Sequence, residues 1–134
     1  MNIIVVKAHF QRALDILDSF EKTQESEYLI NGLIITLCGH LRGGVDRLDT
    51  FFRKGEDEHY ANDLMQHLYR MNSHIKEAIA FIQELVVPRM AMRDLPTDIR
   101  MGDKEDLKKD VSSIGMVRRT VKYAIEDLDE MIKK

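Results

Sequence analysis

The sequence predicts an all-α fold: an up-and-down antiparallel bundle of four long helices. Three observations predict it. Apolar residues recur at steps of three and four in four separate stretches, which is the period of a helix and not the alternation of a strand. Two prolines, no tryptophan and 7% aromatic residues suit helices better than a sandwich or barrel. The first two breaks between stretches are short, so the helices flanking each break run antiparallel.

The first stretch sets Ile3, Val6, Phe10, Ala13, Leu17 and Phe20 on one seam, with Lys7, Arg12, Asp15, Asp18, Glu21 and Lys22 on the other faces. Helix 1 is expected from about residue 2 to about residue 23. Helix 2 is expected to start near Ser26, a good cap, and to stop at Gly55. Its apolar face is Ile30, Ile34, Leu37, Leu41, Val45, Leu48 and Phe52. Helix 3 is expected to begin in Glu56-Asp57-Glu58, where negative charge suits the amino-terminal dipole, and to end at Pro88. Tyr60, Leu64, Leu68, Met71, Ile75, Ala78, Ile82 and Leu85 share its face. Asp103 and Asp106 open helix 4 as a capping pair. Leu107, Val111, Ile114, Val121, Ile125, Leu128 and Ile132 follow at helical spacing, and Lys133 and Lys134 suit the carboxyl end. Helices 2, 3 and 4 would then be long and helix 1 shorter, leaving part of the long helices uncovered.

Residues 1–134 make one domain, and 44% apolar with 32% charged residues is enough to bury a core without a metal or disulfide. The single cysteine, Cys38, rules out an internal disulfide and reads as a packing residue. Twenty basic and 23 acidic residues, a net charge of -3, argue against a dedicated nucleic-acid surface. The run Ile3 to Val6 has no basic residue before it and is too short for a signal peptide. The most apolar stretch, Leu33 to Cys38, is far short of the ~20 residues that span a bilayer. The expected location is the cytoplasm.

Three features are candidates for function. On helix 2, Gly32, Thr36, Gly39 and Gly43 form one small-residue face, with Gly44 beside it. Each glycine costs about 1 kcal/mol against alanine inside a helix, so something is expected to approach this face closely. A packed helix, from the same chain or a second copy, is the first choice. A small anion or nucleotide held by the bordering His40, Arg42 and Arg47 is the other. On helix 3, Asp63, His67, Arg70, His74 and Glu77 descend one edge. His67 and His74 are seven residues apart, about 10.5 Å along the axis, so one metal ion cannot take both, and ion pairs along the helix edge are expected instead. No metal and no cofactor are predicted. The third feature is the connection 88–102, where Arg89, Met90, Met92 and Arg93 suit a binding surface, or Leu95 and Ile99 close the end of the bundle. Arg118, Arg119 and Lys122 form a small basic cluster without interleaved aromatic residues, which reads as a solvated face.

No glycine-rich phosphate loop and no nucleophile–base pair is evident. The reading that follows is a small binding protein that regulates, inhibits or scaffolds a partner protein and self-associates. The alternative class is an enzyme. Arg53 and His59 have five residues between them, with Tyr60 next. In that spacing the chain resembles the HEPN ribonucleases, all-helical proteins with an arginine and a histidine at a comparable separation, although Lys54 stands where a polar residue usually follows the arginine. The resemblance implies that Arg53 would stabilise the transition state and His59 would move protons during attack by a ribose 2′-hydroxyl.

Overall fold

A computed structural model describes residues 1–22, 27–83 and 103–133, with side chains described for residues 1–19, 32–83 and 115–133. Among the described residues four α-helices follow one another: α1 (Ile3–Lys22), α2 (Glu27–Arg53), α3 (Asn62–Phe81) and α4 (Asp103–Ile132). Asn2 caps α1, its Oδ1 accepting the Val5 N–H at 3.3 Å. Cross-helix pairs give the register. Lys7 meets Asp129 and Asp18 meets Arg118, so α1 and α4 are antiparallel. Asp49 meets Lys76 and Arg42 meets Gln83, so α2 and α3 are antiparallel. Phe10 lies against Gly44, and His67 meets Asp127, which completes an up-down-up-down ring of α1, α2, α3 and α4.

The periodic residues make the core. Val6, Phe10, Ala13 and Leu17 of the α1 seam are buried, as are Ile34, Leu37, Leu41, Val45 and Leu48 of α2. Cys38 is buried among them, and burial raises its thiol pKa, in keeping with a packing residue. On α3 the face is turned relative to expectation. Leu68, Ile75 and Ile82 are buried, but Met65, Asn72 and Ile79 complete the buried set, while Tyr60, Leu64, Met71 and Ala78 are half-buried. On α4, Val121, Ala124, Ile125, Leu128 and Met131 are buried and Ile132 is exposed.

Helix 3 starts later than its charges suggest. Glu56–His59 form a single 3-10 turn, begun by Gly55 in the left-handed region at φ 74°. None of its residues is buried, so the turn has no apolar face to reward its extension into a helix. The chain then straightens at Tyr60 (φ -123°, ψ 163°), whose ring reaches back to Phe51 with centroids 6.0 Å apart, and α3 begins at Asn62. Regular α-helix gives way to a π turn at Ile82–Gln83, and Pro88 lies outside the described residues. As α-helix, α3 has 20 residues, the same as α1, against 27 in α2 and 30 in α4. Within the described residues the regular stretches of α1 and α3 are each roughly 30 Å long, and those of α2 and α4 roughly 40 and 45 Å.

Among the described residues no helix is long and apolar enough to cross a membrane.

Candidate functional site

The small-residue face of α2 divides between two environments. An added Cβ at Gly43 would sit 3.0 Å from His9 Cε1, and one at Gly44 would run into the buried Phe10 ring. The close approach expected of this face is therefore made by α1 of the same chain, at Gly43 and Gly44. At Gly39 and Gly32 nothing among the described residues lies within 4 Å of where a Cβ would stand. Gly39 therefore takes no contact from α1, which crosses the side of α2 that carries Gly43 and Gly44. Thr36, between the two open glycines, turns its hydroxyl back to the Gly32 carbonyl at 3.0 Å.

The three basic residues bordering that face also separate. His40 turns toward α1, where its Nδ1 is 3.3 Å from His9 Nδ1. Arg47 folds back on its own helix, Nη1 donating to the Gly43 carbonyl at 2.9 Å. Arg42 turns to the opposite side and donates to Gln83 Oε1, just past the end of α3, at 2.5 Å. Arg42 and Gly39 border a shallow groove between α2 and α3 with Ile34, Ile35 and Cys38. Arg42 therefore does not share one anion pocket with His40 and Arg47. The residue missing from the sequence reading is His9, which no spacing within helix 1 marks as the partner of a histidine 31 positions away.

On the other side of the bundle, α3 and α4 bring together two groups of interest. His67 Nδ1 is 2.5 Å from Asp127 Oδ2, and Asp127 is buried in the core between Ala124 and Leu128. Burial raises the Asp127 pKa, and the hydrogen bond from His67 works against that rise. The Tyr123 ring stands edge-on to His67 with centroids 6.3 Å apart. Beyond Tyr123 a groove opens along the helix pair, floored by Met71, Ala78, Phe81 and Val117, with Met116 on its wall. Of the edge residues read from helix 3, His74 and Glu77 form an i,i+3 pair at 3.8 Å on the rim of this groove, while His67 reaches across to α4. Asp63 and Arg70 are exposed.

Arg53 ends α2 and His59 ends the 3-10 turn. Both are exposed, and no hydrogen bond joins them. Arg89, Met90, Met92 and Arg93 lie outside the described residues, as do Leu95 and Ile99. Among the described residues, no three His, Cys, Asp or Glu side chains gather in a way that could hold a metal ion.

The chain matches no protein family, no curated protein and no solved structure. Its function is therefore read from its own surfaces. Two of them stand out: the α3–α4 groove, which Tyr123 joins to the His67–Asp127 pair, and the His9–His40 seam over Gly43. The groove is mostly apolar with a polar rim, the make-up of a surface that takes another chain.

Proposed function

We propose that this chain is a small cytoplasmic binding protein that regulates or scaffolds a partner protein, self-associates, and docks through the groove between α3 and α4. The observation that supports the reading is the exposure of Met116 (67%) and Tyr123 (42%) beside the partly buried Met71, Ala78 and Phe81. Methionine and tyrosine are favoured where one surface must fit another, because the thioether adapts its shape and the phenol offers apolar area with a polar tip. A groove between two antiparallel helices accepts a third helix laid along it. His74, Glu77 and Arg119 supply a polar rim that fixes orientation. Cys38 as a buried free thiol suits a reducing compartment.

Sedimentation of the full chain at micromolar concentrations tests this directly. The expected result is a species heavier than the 15.6 kDa monomer, shifted back to monomer by Met116→Glu or Tyr123→Glu without loss of helical content. Met116 is the more exposed of the two, and among the described residues its side chain has no ring or polar partner, so Met116→Glu should alter folding stability by no more than about 0.5 kcal/mol, whereas Tyr123→Glu also gives up the edge-on contact with His67. A single 15.6 kDa species across the whole range would overturn self-association, and an oligomer indifferent to both substitutions would move it off this groove.

A further inference from the structure

The seam between α1 and α2 carries two histidines in an unusual relation. His9 Nδ1 and His40 Nδ1 are 3.3 Å apart, and the ring centroids are 5.6 Å apart. That centroid distance is what results when each Nδ1 lies on the line joining the two ring centres. The nitrogens therefore point at one another, which is the geometry of one N–H···N hydrogen bond and not of two lone pairs converging on a metal ion. Such a bond needs one ring to donate and the other to accept, so the two Nδ1 atoms hold a single proton between them.

The seam is built to keep the rings there. His9 lies directly over Gly43, where a Cβ would stand 3.0–3.1 Å from three of its ring atoms. The groups that bear on its charge are Arg12 from its own helix and Arg47 and His40 from α2, and every one of them is basic.

We propose that the His9–His40 pair is an acid-sensitive latch on the α1–α2 seam, closed while the rings share one proton and opened when each ring carries its own. A second proton at Nδ1 sets N–H against N–H. It also adds positive charge to a cluster in which the charges acting on His9 are all basic, so the rings separate and the His9 ring leaves Gly43. The electrostatics agree with the geometry: burial first, then Arg47, His40 and Arg12, lower the His9 pKa below the usual imidazole value of 6.5. A base whose pKa is lowered on folding binds fewer protons folded than unfolded. Its contribution to stability is therefore whole above the usual value and is lost as pH falls through the lowered one.

Imidazole nitrogen NMR on the full chain, with amide hydrogen exchange, tests the latch. At about pH 7.5 one of the two rings should be the Nδ1–H tautomer and the other the Nε2–H tautomer. Between about pH 7.5 and about pH 5, amide exchange along α1 and α2 beside the pair should speed up several-fold more than at the far ends of α3 and α4. In His40→Gln the carboxamide can accept from a protonated His9, so this acid-dependent acceleration should disappear, and His9→Gln should behave likewise. The latch is refuted if both rings are Nε2–H tautomers at neutral pH. It is equally refuted if both glutamine variants keep the wild-type acid dependence.

Discussion

Gly44→Ala should destabilise the fold by about 1–3 kcal/mol, while Gly39→Ala, five residues earlier on the same helix, should stabilise it by about 0.4–1 kcal/mol. Both substitutions restrict the unfolded chain by the same amount and both improve helix propensity. What separates them is space. A methyl group at Gly44 would run into the edge of the Phe10 ring, which is fully buried and cannot swing aside into solvent. Accommodating it means spreading α1 from α2 or driving Phe10 off its rotamer, and either loss exceeds the propensity gain. A methyl group at Gly39 meets nothing within 4 Å among the described residues. Chemical denaturation of the two variants measures the contrast. A change of the same sign at both positions would contradict the packing described for this seam. Phe10→Leu combined with Gly44→Ala should recover part of the loss, because the smaller side chain leaves room for the added methyl. If Gly39→Ala instead weakened self-association while raising the melting point, a second chain would have to sit on the open part of this face.

The helical architecture was legible because burial in a bundle is periodic and the period is written in residue type. The step pattern Ile3, Val6, Phe10, Ala13, Leu17 marks a face that the fold buries almost throughout. The start of α3 was not legible for a physical reason. Glu56, Asp57 and Glu58 are as suitable for the first turn of an α-helix as for a 3-10 turn, and what decides between them is whether the next residues have a core to pack against. The turn buries nothing, and Tyr60 gains more by leaving helical geometry and packing on Phe51.

The site residues show the same division. Spacing on α2 identified glycines that share a face, but a face seen from one helix does not say which neighbour crosses it or at what height. Adjacent Gly43 and Gly44 take the contact because α1 passes there, while Gly39, one turn away on the same face, meets none of the described residues. His9, His40, His67 and Asp127 each look ordinary within their own helices. Their pairing spans 31 residues in one case and 60 in the other, a distance that only the folded register spans. Asp127 had a local signal: it sits between Ala124, Ile125 and Leu128, so a carboxylate at that phase has to find a partner or protonate.

That requirement gives the second large effect. His67→Ala should destabilise the protein by about 1–3 kcal/mol at neutral pH, less than the roughly 3–5 kcal/mol typical when a fully buried pair is broken, because the His67 side chain is 39% exposed while Asp127 is only 12% exposed. Removing the imidazole takes away the hydrogen bond and the positive charge that oppose the raised Asp127 pKa, so the carboxyl pKa rises further. An acid with a raised folded pKa binds more protons folded than unfolded. Ionising it costs stability, and that loss grows as pH rises from the usual carboxylate value of 3.8 through the raised one. The destabilisation of His67→Ala should accordingly be largest at neutral pH and vanish below the usual carboxylate range. Asp127→Asn should do much less harm, within about 1 kcal/mol, since its carboxamide oxygen still accepts the His67 Nδ1–H and no buried charge remains. Thermal melts of the wild type and both variants across the acid range would check this. A His67→Ala variant whose deficit is the same at every pH would mean that packing against Tyr123, and not the buried carboxylate, is what His67 supplies to the α3–α4 contact.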